Sequence, residues 1–256
     1  MPINYIDFEQ AKEQSGLRMV VVPGLPSPWS EAAKGIFHVK NIAWSAVRLD
    51  QRNKAMAEWT GTRSGPVVMF ENQPPQPHWQ QILMLAESVT PTPSLLPKET
   101  AARVQALELC EDICGEAGLG WSGRLDGVHS GLNDQGGFPK NIAQYLGAKY
   151  GYEADLAQSN SDRLVALLYK LVVCLKEQKK NGSRFYIGDT ISAVDIYSAT
   201  FMAYFKPLEQ SVCPMDSYMR AAFESNTAVV NEALDPILMA HRDFIYENFL
   251  ELPLCL

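Results

Sequence analysis

Apolar and polar positions along the chain fall into two regimes. Between residues 17 and 89, short strand-like apolar runs interleave with segments of helical period, whereas beyond residue 97 every patterned stretch has helical spacing. Residues 17–22 read as a buried strand. Residues 27 to about 41 read as a helix, because Trp29, Ala32, Ala33, Ile36 and Phe37 recur at i, i+3, i+4, i+7 and i+8. A strand over 43–49, a weak helix over 53–59 closed by Gly61, and a β-branched strand over 67–70 follow. The next stretch, 71–76, contains Pro74 and Pro75, which cannot donate to a ladder, so it predicts a truncated edge strand or a loop. A helix over 79–87 completes this half. Before it all, residues 1–16 read as a polar extension with one short helix from Asp7 ending at Gly16.

Residues 90–97, rich in proline, read as a linker. The remainder predicts a helix over 97–117, a glycine-rich loop over 127–137, a short helix over 140–150, and a helix over 161–180 with Leu164, Leu167, Leu168, Leu171 and Leu175 on one face. That last helix stops at Asn181-Gly182. Helices over 192–204 and about 216–225, and a final segment near 231–249, end the chain. No internal repeat is visible.

Three short segments carry chemistry or strong local signals. Ser27-Pro28 pairs an N-cap hydroxyl with proline at the first helical position, so a helix starts there. Its unpaired N–H groups and positive dipole end favour an anion, and Ser27 offers an O–H donor besides. Gly65-Pro66 directly precedes the 67–70 strand. Far downstream, Ser192 and Asp195 form a capping box, with Ile191 and Ile196 placed as its hydrophobic staple.

Together these segments resemble the glutathione S-transferase family, over about residues 17–245, with serine at the helix start as in bacterial-type members. The resemblance implies an α/β plus all-α architecture: a thioredoxin-like N-terminal domain followed by an all-helical glutathione transferase C-terminal domain. It divides the chain into an extension (1–16), a glutathione-binding domain (17–89), a linker (90–96) and a helical domain (97–256). It implies a cis bond at Pro66, with the Gly65 backbone offered to the cysteinyl part of glutathione as co-substrate. Ser27 is then the catalytic hydroxyl that stabilises the glutathione thiolate; Ser30, one turn inside the helix, reads as an ordinary serine bonded to solvent or backbone. Ser27, Trp29, Arg63, Gly65, Pro66, His78 and Trp79 make the expected glutathione-binding set. For Arg63 a solvated loop charge is an equal alternative, and for Trp79 core packing is the favoured one. Serine at position 27 disfavours the branch that forms mixed disulfides, which uses cysteine there. One departure stands out: Pro77-His78-Trp79 occupies the place where the family usually has an acidic residue and Ser or Thr to hold the glutamyl end of glutathione, which leaves Glu71 or a partner subunit to pair the ammonium.

The electrophile pocket implied by the resemblance lies between the two domains, near residues 118–124. Trp121 offers an aromatic wall or fills the interface, and Arg124 holds an acidic substrate or polarises a leaving group or, as favoured, makes a salt bridge. The expected activity is conjugation or substitution by glutathione thiolate on a small electrophile, in a homodimer. A glutathione-dependent isomerase or lyase, and a non-catalytic member used for binding, are the alternatives.

Composition narrows the partners. The 256 residues carry a net charge of −7, and their only compact basic run is Lys179-Lys180, which argues against nucleic acid. The first residues show no basic start followed by an apolar stretch, and the 164–175 run is interrupted by Lys170, short of the roughly 18–20 apolar residues a membrane span needs. A cytoplasmic protein with no membrane partner is expected. The five cysteines, Cys110, Cys114, Cys174, Cys213 and Cys255, include no C-x-x-C pair, and Cys110 and Cys114 continue an apolar helix face, so burial is preferred to chelation. The four histidines lack ligand spacing, and no metal is expected.

Overall fold

A computed structural model describes residues 3–254. Cys255 lies outside the described residues. One mixed sheet contains β1 (Tyr5–Ile6), β2 (Leu17–Val21), β3 (Ser45–Arg48) and β4 (Val67–Phe70) in the order β1-β3-β2-β4. β1 and β2 run parallel to β3, while β4 is antiparallel to β2. β2 is buried at every position, including Arg18, whose guanidinium donates to the Ala11, Gly16 and Glu71 carbonyls.

Successive residues of β2 feed two cores, because side chains alternate across a strand. Leu17, Met19 and Val21 join the main core, built with α2 (Pro28–Val39) and α4 (Trp79–Val89). Val20 joins a smaller one with Val47, Val67 and Met69, covered by α1 (Phe8–Glu13) and α3 (Lys54–Thr60). The supposed polar extension thus takes part in the fold. Asp7 and Gln10 cap α1 reciprocally, Ala11 is fully buried, and Phe8 meets Trp59 edge-on with ring centroids 5.6 Å apart. The helix ends at Glu13, and β1, a strand too short to show a period, pairs Tyr5 with Ala46. At the opposite edge the proline-rich segment contributes only an isolated bridge, Val68 to Gln76, as its composition dictates.

The helical half contains α5 (Thr100–Cys114), α6 (Leu119–Leu132), α7 (Lys140–Tyr150), α8 (Ala157–Lys180), α9 (Ala193–Phe205), α10 (Ser217–Glu224), α11 (Ala228–Ala233) and α12 (Pro236–Phe249). α9 is buried along its whole length. The capping box at its start is formed, and it reaches further than the local motif: Asp195 accepts from the Ser192 N–H and hydroxyl, from the Tyr186 N–H at 2.9 Å, and pairs with His241 Nε2 at 2.9 Å.

Two sequence expectations fail here. Residues 119–132 are helical where a glycine-rich loop was expected to begin at 127, because the glycines of α6 are seats for side chains. A Cβ on Gly120 would stand 2.2 Å from Phe201 Cε1, and one on Gly123 would stand 2.6 Å from Phe205 Cζ. Packing overrides intrinsic propensity. The segment 231–249 is also two helices: α11 ends at Ala233, and after Leu234, Asp235 caps a new start with Pro236 at its first position. No helix among the described residues is long and apolar enough to cross a membrane.

Candidate active site

The N-terminus of α2 emerges from β2 through a loop that ends at Ser27. The Ser27 carbonyl accepts the first helical bond, from Glu31 N–H at 2.8 Å, yet its side chain makes no capping bond to the helix amides. Pro28 has no N–H to offer, so the hydroxyl stands uncommitted at a positive helix end. The antiparallel register sets Val67 opposite Val20, which brings Gly65 to the end of β2 from which that loop departs. The Gly65-Pro66 bond is cis. A Cβ on Gly65 would lie 3.1 Å from the Val20 carbonyl oxygen, so the close approach of these two backbones suits glycine.

The chain reverses after β4, and the Val68–Gln76 bridge carries His78 back toward the Pro66 end. His78 is the exposed N-cap of α4, its N–H bonded to Gln81 Oε1 at 3.3 Å. Arg63 is exposed in the turn before Gly65. Glu71 lies at the other end of β4, where its carboxylate accepts from Gly16 N–H at 3.1 Å, so it is not in position to pair a ligand ammonium beside Pro66.

Both tryptophans of the expected set are committed to α5. Trp29 Nε1 donates to the Cys114 carbonyl at 2.8 Å, and its ring meets Phe201 edge-on at 4.9 Å. Trp79 Nε1 donates to Glu111 Oε2 at 2.9 Å, with its ring against Tyr197. Each holds a site helix to the helical layer, and for Trp79 this is the packing role. Cys110 and Cys114 are buried in the same seam, and burial pushes both thiols well above their ordinary range.

The two pocket residues part company. Trp121 packs edge-on against Tyr150 of α7, with centroids 4.7 Å apart. Arg124 makes no salt bridge among the described residues, against the expectation. Its guanidinium sits instead among aromatic rings, 4.3 Å from the Tyr204 centroid and 6.0 Å from that of Trp29.

A polar cluster on α2 has no counterpart in the sequence reading. Ser30 is fully buried with its hydroxyl unpaired among the described residues, which corrects its assignment as an ordinary bonded serine. Beside it Glu31 and Lys34 form a buried pair at 2.6 Å. Burial raises the Glu31 carboxyl, and Lys34 only partly offsets this. The helical pattern marked one apolar face, but α2 is covered on both sides, by the sheet and α4 and by α9. A charged i, i+3 pair inside such a layer gives no signal distinguishable from a solvated face.

No protein-family model matches the sequence, and no curated protein sequence matches it. Solved structures do match. A glutathione transferase family member from Pseudomonas fluorescens with two glutathione bound shares 12% identity, covers 93% of each chain, and superposes with a TM-score of 0.63. A β-etherase from Sphingobium sp. shares 14% identity over 91% of this chain and 95% of its own, at 0.61. A glutathione S-transferase from Methylobacterium radiotolerans, in complex with glutathione sulfonate, shares 16% identity over 91% and 92%, at 0.60. The chain has the glutathione S-transferase fold: a thioredoxin-like sheet domain followed by an all-helical one.

Proposed function

We propose that this protein is a glutathione-dependent transferase whose co-substrate thiolate attacks a small electrophile. The observation that carries the reading is the Ser27 hydroxyl, free of any capping bond at the start of α2 and at the same sheet end as cis Gly65-Pro66. In this reading the Gly65 backbone, Pro66, Arg63 and His78 hold the peptide, while Trp29 and Trp79 frame it by fixing α2 and α4 to α5. Residues 17–89, completed by β1 and α1 from the segment before them, form the glutathione unit, 90–96 the linker and 97–256 the helical unit, in a cytoplasmic homodimer.

The chemistry asked of Ser27 is modest. A thiol like that of free cysteine has a pKa near about 8.5. One charge-assisted hydrogen bond is worth about 1.5–3 kcal/mol, and a pKa unit corresponds to about 1.36 kcal/mol. The Ser27 O–H donating to sulfur therefore lowers the thiol by roughly one to two units, with the helix end adding a smaller share. The proton leaves to solvent. Sulfur then forms the new bond to carbon while the leaving group departs with its electron pair, or the pair moves onto the acceptor in an addition.

Isothermal titration with reduced glutathione tests the reading. Binding at or below millimolar concentration is expected, and no heat at millimolar glutathione would instead support a non-catalytic, binding role. An isomerase or lyase reading shares the same site, and the β-etherase among proteins of this fold lends it support. Glutathione is consumed in step with product in conjugation and regenerated in isomerisation, so its balance separates them.

A further inference from the structure

The γ-glutamyl end of glutathione carries two opposite charges, an α-carboxylate and an α-ammonium, so a site that grips both needs an acid as well as donors. Beside the start of α4 the donors are His78 and Arg63, and the segment 77–79 contains no acid. Carboxylates elsewhere in the sheet domain are already engaged: Glu31 with Lys34, Glu71 with the Gly16 N–H, and Glu87 with Lys40.

The helical layer brings a carboxylate to this place. α5 meets both site helices within one turn: the Cys114 carbonyl accepts from Trp29 Nε1 of α2, and three residues earlier Glu111 Oε2 accepts from Trp79 Nε1 of α4 at 2.9 Å. Trp79 directly follows the cap residue His78, so this bond sets the Glu111 carboxylate beside the start of α4. Glu111 and His78 are both exposed, and a ligand reaches them from solvent. The carboxylate is also held in place. The Trp79 ring stands edge-on to Tyr197 of α9 at 5.7 Å, and the Trp79 carbonyl accepts from the Tyr197 hydroxyl at 3.2 Å. Gly115 leaves the space into which the Glu111 side chain folds, since a Cβ there would collide with its Cδ and Oε1. Only Oε2 is engaged. Oε1 has no hydrogen-bond partner among the described residues, and no lysine, arginine or histidine among them pairs with this side chain. Its neighbour Asp112, by contrast, is paired with Lys170 of α8.

We propose that Glu111 receives the α-ammonium of glutathione, so that the acid of the γ-glutamyl subsite comes from the helical layer of the same chain. This assignment rests on the function proposed above. Oε1 accepts a charge-assisted hydrogen bond from the ammonium while Oε2 keeps Trp79, and because the carboxylate is already oriented, little ordering is needed on binding.

The test is calorimetric binding of reduced glutathione and of glutaryl-cysteinylglycine, which keeps the terminal carboxylate and lacks the amino group, to the full chain. The wild-type protein is expected to bind glutathione about tenfold tighter than the analogue. Glu111→Gln retains an acceptor for Trp79 and removes the charge, so it should erase the preference by weakening glutathione while the analogue stays within about twofold. Asp112→Asn removes the same charge from the next residue and should leave the preference unchanged within about twofold. Equal wild-type affinity for the two peptides, a preference that survives Glu111→Gln, or an equal loss in Asp112→Asn would overturn the assignment while leaving the transferase reading intact. Failure of both peptides to bind at millimolar concentration would overturn the two together.

Discussion

At Ser27 the usual fate of an N-cap hydroxyl, a bond back to the amides of the first turn, is not realised, and this leaves an O–H donor at a helix end that already favours anions. The residue type was readable as a cap; its lack of a capping bond was not, because that depends on how the loop enters α2. Glu31 and Lys34 show the opposite problem, since a buried pair and a surface pair are spelled alike. Lys34→Met leaves a buried carboxylate alone and is expected to cost about 3–5 kcal/mol in urea unfolding at pH 8. The folded-state pKa of Glu31 is already above its ordinary 4.5 and rises further without Lys34. Its contribution is therefore full below about 4.5 and lost as pH rises, so the variant should be less impaired at pH 5 than at pH 8. The paired change Glu31→Leu with Lys34→Met should recover most of the loss, because no charge remains buried.

Among elements, α6 separates pattern from packing most clearly. Gly120, Gly123, Gly127 and Gly131 depress helix propensity enough to suggest a loop, yet each abuts a neighbour that a Cβ would strike. On an exposed helix, Gly→Ala stabilises by about 1 kcal/mol. Gly120→Ala is expected to do the reverse, destabilising by about 1–3 kcal/mol as Phe201 is forced aside, and a gain in urea midpoint would refute the seat assigned to it. β2, α2, α7 and the start of α9 were legible because their signals are local: a run apolar at all but Arg18, a cap with proline, helical spacing and a capping box. β1 was not, since two residues carry no period and their pairing with β3 spans forty positions of chain.

For the whole molecule, what matters is how the sheet and helical layers are held together around α2. The tie was invisible in the sequence because it joins distant residues: Trp29 and Trp79 reach α5, and Lys40, Glu87 and the 90–97 segment form one knot. Glu87 accepts from Lys40 Nζ at 2.7 Å, the Ser94 hydroxyl at 2.6 Å and the Leu95 N–H at 2.9 Å. Burial opposes its charge, but these bonds prevail and hold its carboxyl below the ordinary 4.5. Its contribution is thus present above about 4.5 and is lost as pH falls through the lowered value. Glu87→Gln should lower the melting temperature at pH 7 and flatten its dependence between pH 5 and 3; an unchanged acid profile would remove Glu87 from the knot. In the function proposed above, Ser27 supplies the side-chain donor to the glutathione thiolate. The most direct test is the ultraviolet thiolate absorbance of bound glutathione, titrated against pH in the wild-type protein and in Ser27→Ala at saturating glutathione. The account predicts a wild-type thiol pKa below that of free glutathione and an increase of roughly one to two units in the variant. Superimposable titrations of the two proteins would contradict it.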